Sequence, residues 1–196
     1  MKRIIDIIGA SLGLLAIAPL MPFIAISIKL NSRGPVMVKL DRVSGGKIFK
    51  AYKFRSMLDK SHAMKFGALE KLNERKDGPF FKIKNDPRIT TVGKVLRKLR
   101  IDEFPQLINV LRGEMSLVGP RPHEPNEVIH YPPEYQHLIL ARSGVTGLSQ
   151  TNGASGLPFL KELELDSDYV KNPSLWKDVK ILAKTLKITF FDPTAV

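Results

Sequence analysis

The chain of 196 residues is long enough to form one compact domain with its own hydrophobic core. Its net charge of +12 points to a polyanionic partner, such as a nucleic acid, an anionic bilayer or a phosphorylated substrate. Because the chain has no cysteine, disulfides, thiol catalysis and thiolate metal sites are excluded, and the four histidines show no metal-ligand spacing.

The first thirty residues form the only strongly apolar segment of the chain. Between residues 4 and 28, only one acid, Asp6, and two serines are clearly polar. As one helix this stretch would extend about 37 Å, enough to cross a hydrocarbon core of about 30 Å. Two prolines argue against a straight span, because Pro19 and Pro22 lack the N–H that a helix interior requires and therefore bend the helix.

The charges that flank this segment favour a hairpin over a single span. Both ends are basic, and basic flanks prefer the cytoplasmic face of a membrane. A helix that enters the bilayer, bends at Ala18-Pro19 and returns to the same face places both ends there. We therefore predict a re-entrant helix-break-helix over residues 1–33. A single span ranks second and a soluble core helix third, while a secretory signal peptide is disfavoured because Pro19 would follow its cleavage site.

Two extended segments on either side of Gly45-Gly46 then predict a β-hairpin. Its second strand contains Lys53 and Arg55, for which a solvated edge and an anion-facing edge are equally supported. The polar residues 59–88 predict a helix followed by a loop.

A basic amphipathic helix and a second short helix follow. In the first, apolar residues recur at helical spacing between residues 92 and 99, with cations at the other positions. Such a helix suits an anionic membrane or a phosphate, or is simply a solvated face. The second has an apolar stripe over residues 104–111 and Gly113 after its last turn. Asp102 and Glu103 therefore lie at its N-terminus, where unpaired N–H groups favour the carboxylate form and attract phosphate.

This pair of carboxylates has a structural and a catalytic interpretation. N-capping of the helix by Asp102 explains it without any enzyme activity. Its surroundings favour catalysis, because arginines precede Asp102 and a stiff GPRP segment presents Arg121 shortly afterwards. An ionised aspartate among arginines, with Mg²⁺ to neutralise a diphosphate, is what nucleophilic attack on phosphorus requires. Adjacent carboxylates do not suit a glycosidase, and the sequence has no P-loop or GxGxxG motif.

The last third of the chain carries weaker signals. Residues 142–156 are rich in glycine and predict tight turns or loops that hold a ligand. The triplet Asp166-Ser167-Asp168 is a weak metal motif, and a solvated acidic helix is the favoured interpretation. Residues 174–189 predict a closing amphipathic helix, whose Trp176 and lysines suit a membrane interface or simply core and solvent.

Five segments, in this order along the chain, resemble the bacterial sugar transferase family, the small monotopic phosphoglycosyl transferases. They are KRIIDIIGA, YKFRSM, DPRITTVGKVLRK, IDEFPQLINVLRGEMSLVGPRP and RSGVTGLSQTNG, of which the fourth is the most specific. The resemblance implies an α+β fold in which a re-entrant membrane helix-break-helix, residues 1–33, packs on a small and mainly helical cytosolic catalytic domain, residues 34–196. A short β-hairpin and amphipathic interfacial helices complete the expected fold. The expected location is the cytosolic face of the bacterial inner membrane.

The family's chemistry implies a role for each matching residue. Asp102 is the expected nucleophile towards the β-phosphate of a UDP-sugar, and Glu103 is its partner in a catalytic dyad. Mg²⁺ is the expected cofactor, bound by Asp102 and the diphosphate. The residues at phosphate-binding positions of the family are Lys53, Arg97 and Arg121. Those in a loop that contacts the nucleotide sugar are Thr146, Gly147, Gln150 and Asn152.

The implied reaction releases UMP and then passes the sugar phosphate from the enzyme to a polyprenyl phosphate, such as undecaprenyl phosphate. The expected partners are the UDP-sugar donor, the polyprenyl phosphate acceptor and inner-membrane lipid; a homodimer is left open, and no nucleic acid is expected. Two alternatives are a non-enzymatic basic protein that binds membrane or nucleic acid, and a metal-dependent glycosyltransferase that releases UDP. The sequence does not identify the sugar or the pathway.

Overall fold

The computed structural model describes residues 1–59, 61, 69–153 and 156–191, and these form a mixture of helices and two small two-stranded sheets. The predicted mixture of helix and sheet is confirmed. The strands are β1 (Met37–Ser44), β2 (Lys47–Phe54), β3 (Ser116–Val118) and β4 (Gly144–Thr146). The helices are α1 (Lys2–Ile17), α2 (Met21–Asn31), α3 (Thr91–Lys98), α4 (Gln106–Arg112), α5 (Pro125–Val128), α6 (His137–Leu140), α7 (Leu148–Thr151), α8 (Phe159–Lys171) and α9 (Leu175–Phe191).

The regular α-helix of the N-terminal segment is interrupted by a 3-10 turn at the position where the sequence predicts a break. A 3-10 turn, Ala18–Leu20, separates α1 from α2 and contains the Ala18-Pro19 step. Residues 2–31 are long and apolar enough to cross a membrane, and only 11% of their most apolar part is buried. A long apolar surface that the protein leaves uncovered suits contact with lipid. The re-entrant path itself and the division at residue 33 remain predictions.

Polar contacts attach the first turns of α1 to the rest of the protein. The Arg3 guanidinium donates to the carbonyl oxygens of Val110 at 2.5 Å and Leu111 at 2.8 Å, at the carboxyl end of α4. Asp6, which is 2% exposed, accepts the backbone N–H of Leu117 in β3 at 2.8 Å. Because carbonyls at the end of a helix lack partners within it, Arg3 both satisfies them and complements the helix dipole. The apolar segment is therefore fixed to α4.

The predicted β-hairpin is confirmed, since β1 and β2 pair antiparallel along their full length. Gly45 and Gly46 have φ angles of 57° and 72°, the left-handed conformation that a two-residue hairpin turn needs. The buried side chain of Asn109 joins α4 to this hairpin. Its Oδ1 accepts the N–H of Tyr52 at 3.0 Å, and its Nδ2 donates to the carbonyl oxygen of Lys50 at 2.9 Å. Such fully paired buried polar groups fix one arrangement of helix and strand.

The helices predicted around the carboxylate pair are both confirmed, as α3 and α4. Thr90 Oγ1 accepts the N–H of Gly93 at 3.0 Å and caps α3, while α4 ends at Gly113 with a φ of 80°. The helix predicted within residues 59–88 is not found at positions 59, 61 and 69–88, which contain a 3-10 turn, Glu70–Leu72, and irregular chain. The rest of that prediction falls on residues 60 and 62–68, outside the described residues.

The prediction of turns and loops over residues 142–156 is partly wrong. This stretch forms β4, which pairs in parallel with β3, and then the short helix α7. A side chain at Gly144 would overlap the backbone nitrogen of Gly119, so glycine allows the two strands to approach closely. A strand of three residues is too short to show an alternating apolar pattern, so the glycines of this stretch are the stronger signal and indicate turns.

Helices α8 and α9 close the fold. The predicted amphipathic helix is confirmed as α9. In α8, Asp166 is 1% exposed and Ser167 is 4% exposed, so the interpretation of this triplet as part of a solvated acidic helix is wrong for two of its three residues. The main apolar core lies between α1, β2, α4 and β3 under these two helices, and its buried members are Ala10, Phe49, Ala51, Leu107, Val110, Met115, Leu117, Val118, Tyr169 and Ile181.

Candidate active site

The two adjacent carboxylates lie in a 3-10 turn, Ile101–Glu103, between α3 and α4. Arg100, just before the turn, has a φ of 54°, a left-handed conformation that side-chain-bearing residues rarely adopt. This reversal directs the chain from α3 into the turn. Asp102 is 5% exposed. Lys53, on the neighbouring strand β2, places its Nζ 2.6 Å from Glu103 Oε1 and 3.8 Å from Asp102 Oδ2.

The structural interpretation, in which Asp102 caps the following helix, is wrong. The residue that precedes the first turn of α4 is Pro105, and no side chain caps that end of the helix. Asp102 instead lies inside the preceding turn with its side chain buried. The simple structural explanation for the carboxylate pair is therefore lost, which strengthens the catalytic interpretation.

The pKa values of the two carboxylates are shifted in opposite directions. Burial raises the pKa of Asp102, the neighbouring Glu103 raises it further, and Lys53 and Arg97 oppose this. Burial works in the same direction on Glu103, but Lys53 and Arg121 outweigh it and lower its pKa to about 2. The sequence predicted that a helix N-terminus would favour the charged form of Asp102, whereas burial dominates in the structure. Two titratable groups with divergent pKa values in one site are typical of acid–base or nucleophilic chemistry.

Three predicted phosphate-binding cations surround this pair from three different elements. Lys53 comes from β2, Arg97 from α3 and Arg121 from the segment after β3. The Nε of Arg97 donates to Ser56 Oγ at 3.0 Å, and the guanidinium lies close enough to Asp102 to lower its pKa. The charge of Arg121 lowers the pKa of Glu103. The structure thus brings the predicted dyad and all three predicted cations together.

The four residues predicted to contact a nucleotide sugar make contacts within their own segment, with Gly119 and with α9. Thr146 Oγ1 lies 2.6 Å from Thr185 Oγ1, and Asn152 Oδ1 accepts from Lys184 Nζ at 2.7 Å. A side chain at Gly147 would overlap the carbonyl oxygen of Gly119. These contacts explain how the segment is held, while its role towards a nucleotide remains a prediction.

Gln150 is the exception among these four residues. Its Nε2 donates to the carbonyl oxygen of Val145 at 3.0 Å, but its buried Oε1 has no hydrogen-bond partner among the described residues. A buried acceptor without a partner is costly. This oxygen, like the Ser149 hydroxyl, which is also buried without a partner among the described residues, would gain from a hydrogen bond with a bound molecule.

A buried polar cluster beside Arg121 was not predicted as part of the site. Asp166 Oδ2 accepts the backbone N–H of Arg121 at 2.9 Å, and Glu162 Oε1 lies 3.8 Å from its Nε. His123 places Nε2 3.2 Å from the same Glu162 oxygen and hydrogen-bonds through Nδ1 to the Tyr131 hydroxyl. One weak signal in the sequence is the position of His123 directly after GPRP. Glu162 lies on a different helix.

The side chains that could bind a metal at this site suit an ion that also binds the substrate. Among the described residues, no group of three or more His, Asp or Glu side chains is placed to enclose a metal ion. Mg²⁺ is commonly held by one or two carboxylates together with substrate phosphates and water. Asp102, which is buried beside a second carboxylate, fits that mode and not an all-protein metal cage.

Comparison with known families matches residues 1–192 to the one described as bacterial sugar transferase. The match covers nearly all of the chain, including every element that forms the site. The chain belongs to the bacterial sugar transferase family. The resemblance drawn from the five sequence segments is thereby confirmed.

Two of the three relatives compared below are named for undecaprenyl phosphate, and the third for exopolysaccharide production. The chain is 40% identical over 191 residues to an undecaprenyl-phosphate galactose phosphotransferase of Salmonella typhimurium, covering 96% of this chain and 40% of that protein. It is 40% identical over 196 residues to a UDP-glucose:undecaprenyl-phosphate glucose-1-phosphate transferase of Caulobacter vibrioides, covering 94% and 68%. It is 38% identical over 188 residues to the exopolysaccharide production protein ExoY of Rhizobium meliloti, covering 94% and 83%. The chain therefore spans only about two-fifths of the Salmonella protein and most of ExoY.

Proposed function

We propose that this sugar transferase moves a sugar-1-phosphate from a UDP-sugar to a polyprenyl phosphate such as undecaprenyl phosphate and releases UMP. The observation that carries the proposal is the buried Asp102 beside the charged Glu103, with Lys53 within 3.8 Å of both. The names of the relatives supply the acceptor and the sugar phosphate that is transferred. Their donor sugars differ, so the sugar used by this chain is left to experiment.

The proposed reaction has two balanced steps. An oxygen of Asp102 attacks the β-phosphorus of the donor, the bond from that phosphorus to the bridging oxygen breaks, and UMP leaves with the bonding electrons. The enzyme then carries the phosphosugar as an acyl phosphate on Asp102. In the second step a phosphate oxygen of the acceptor attacks the same phosphorus and the bond to Asp102 breaks, which restores the carboxylate.

The residues around Asp102 have complementary tasks in this scheme. Lys53 and Arg97 stabilise the charged form of Asp102 against burial, so that it acts as a nucleophile. Arg121 presents a planar guanidinium to the donor's phosphate oxygens. Glu103 stays charged and holds Lys53 between the two carboxylates. Mg²⁺, bound by Asp102 and the diphosphate, would neutralise the charge that develops on the leaving phosphate.

The proposed setting is the cytosolic face of the bacterial inner membrane. The apolar residues 2–31, which are mostly unburied, support membrane association. A re-entrant course of this segment places the globular part and both basic flanks on one face. The lipid acceptor carries its phosphate at that face, so both substrates reach the site from the same side.

The deciding experiment is the intact mass of the purified, detergent-solubilised protein after exposure to a panel of UDP-sugars with Mg²⁺ and no acceptor. The expected result is a mass gain of one sugar phosphate with the correct donor, and its loss when undecaprenyl phosphate is added. Asp102→Asn should give no mass gain, and chelation of the metal should abolish it in the wild type. An equal gain in Asp102→Asn would refute the nucleophile assignment.

The nucleotide product separates this function from its rivals. A metal-dependent glycosyltransferase would release UDP, so chromatography of the nucleotides formed with acceptor present distinguishes the two reactions. Strong, salt-sensitive DNA binding without any nucleotide release would instead favour a basic binding protein.

A further inference from the structure

Glu162 is an ionisable side chain that the fold buries almost completely, and burying a charge costs free energy. It lies on α8 and is 2% exposed. Its Oε1 lies 3.2 Å from His123 Nε2 and 3.8 Å from Arg121 Nε, and its Oε2 lies 3.6 Å from an Arg75 terminal nitrogen. A buried carboxylate survives only when partners of this kind compensate its lost hydration, and it rarely adds to stability compared with apolar packing.

Two of the partners of Glu162 are themselves packed against one aromatic ring, that of Phe80. The His123 ring lies 4.4 Å from the Phe80 ring, centroid to centroid. The Arg75 guanidinium lies 4.8 Å from the centroid of the same Phe80 ring. Glu162 therefore hydrogen-bonds with His123 and forms an ion pair with Arg75, and both of these partners pack against Phe80.

Arg121 is the one member of this network that faces the carboxylate dyad. Asp166 accepts a hydrogen bond from its backbone N–H at 2.9 Å, and Glu162 forms an ion pair with its guanidinium at 3.8 Å. Its side chain is still 33% exposed, so it is available to a ligand. On the side of the dyad, its charge acts on Glu103. One face of Arg121 is thus anchored and the other is free for phosphate oxygens.

We propose that Glu162 is a positioning residue that aims the Arg121 guanidinium at the diphosphate of the nucleotide. This inference rests on the proposed function in one respect, namely that Arg121 binds donor phosphate. Without the carboxylate, the long arginine side chain regains several rotamers and loses the orientation that a bidentate contact with phosphate needs.

A double-mutant cycle with UDP as the probe tests this inference. UDP affinity is measured by calorimetry in the presence of Mg²⁺ for the wild type, Glu162→Gln, Arg121→Ala and the double variant. Glu162→Gln should weaken UDP binding about tenfold, an effect within the range for residues of one network. In the Arg121→Ala background the same change should have no further effect. Glu164→Gln is the matched control, since Glu164 is exposed on the same helix and pairs with Lys161; it should bind UDP like the wild type.

The outcomes are separable. An equal loss of affinity in both backgrounds, or unchanged affinity in Glu162→Gln, would overturn the positioning role, and so would failure of the wild type to bind UDP. Should Glu162→Gln not fold, Glu162→Asp takes its place in the cycle, with a smaller loss that again disappears without Arg121. A wild type that binds UDP but forms no adduct and releases no UMP would refute the proposed function, while the cycle would still decide the role of Glu162.

Discussion

At the scale of single residues, Lys53 lies between the two carboxylates of the candidate site, 2.6 Å from Glu103 and 3.8 Å from Asp102. Two neighbouring carboxylates repel each other, and a buried one resists ionisation. The ammonium group offsets both effects, yet the closer contact is made with Glu103. Lys53 therefore opposes the rise in the pKa of Asp102 that burial causes, and it leaves Asp102 less tightly engaged than Glu103.

Replacing Lys53 by methionine keeps the length of the side chain and removes its charge. We expect Lys53→Met to slow UMP release about a hundredfold, the usual cost of losing one preorganised charge in an active site. Lys50→Met is the control, because Lys50 lies on the same strand but is exposed and pairs with Asp41. Similar rates for the two variants would show that Lys53 does not support the dyad.

Asp166 gives the protein a pH-dependent stability of unusual sign. Burial raises the pKa of Asp166 to about 6, so between about pH 4 and pH 6 the folded state keeps a proton that the unfolded chain releases. The contribution of Asp166 to the free energy of unfolding therefore falls as the pH rises through this window, by about 3 kcal/mol.

The corresponding measurement is urea unfolding of the detergent-solubilised protein at pH 4.5 and pH 7. The stability of the wild type relative to Asp166→Asn should be greater at pH 4.5 than at pH 7. Asp168→Asn serves as the control, because Asp168 is exposed on the same helix and its pKa is lowered. A pH-independent difference between the wild type and Asp166→Asn would contradict the assignment.

At the scale of elements, the approach of α3 to the end of β2 depends on one glycine. A side chain at Gly93 would overlap the carbonyl oxygen of Ser56, and Ser56 also holds Arg97 at 3.0 Å. In an exposed helix, replacing glycine by alanine stabilises by roughly 1 kcal/mol. Here the sign should reverse, because the helix must move away from Ser56.

We expect Gly93→Ala to destabilise the protein by about 2 kcal/mol, a common cost for steric overlap in a packed region, and to lower UMP release because Arg97 moves with α3. Gly156→Ala is the control, since a side chain there has no neighbour within 4 Å among the described residues. Thermal unfolding and UMP release of the two variants test this together. A Gly93→Ala variant as stable as Gly156→Ala would show that α3 shifts without cost.

Some elements of this fold follow from local sequence signals, and others depend on contacts between distant segments. The hairpin at Gly45-Gly46 and the helices α3 and α4 were predictable because local turn and periodicity signals agree with the final packing. The strand β4 was not, because three residues pair only through the contact with β3. Asp102 and Glu103 could be identified as a pair because they are adjacent in the sequence. Glu162 comes close to Arg121 and His123 only when α8 packs against their segment, across a separation of about forty residues.

At the scale of the whole molecule, the open question is the course of residues 2–31 through the membrane. The chain has no cysteine, so single introduced cysteines report their location without background. We expect a cysteine inserted directly after Met1 and one placed by Lys47→Cys to react with a membrane-impermeant maleimide from the same side, in inverted inner-membrane vesicles and not in spheroplasts. Labelling of the two positions from opposite sides would establish a single span.

The Ala18-Pro19 break supplies the matched variant for this experiment. The double change Pro19→Ala and Pro22→Ala restores the two missing helix N–H groups. We expect it to favour a straight span and to move the inserted cysteine to the opposite side, while Lys47→Cys keeps its side. An unchanged labelling pattern would show that the basic flanks alone determine the course.

The hydrogen bonds of Arg3 with the last carbonyls of α4 have a consequence for the choice of lipid. Helix α4 begins just after the dyad and ends at Arg3, and its seven residues span about 10 Å. The short helix α4 thus connects the apolar segment with the turn that contains Asp102. Under the proposed function, the protein works at one fixed height above the acyl chains. A soluble donor diffuses to that height freely, whereas a lipid serves as acceptor only if its phosphate rises to it.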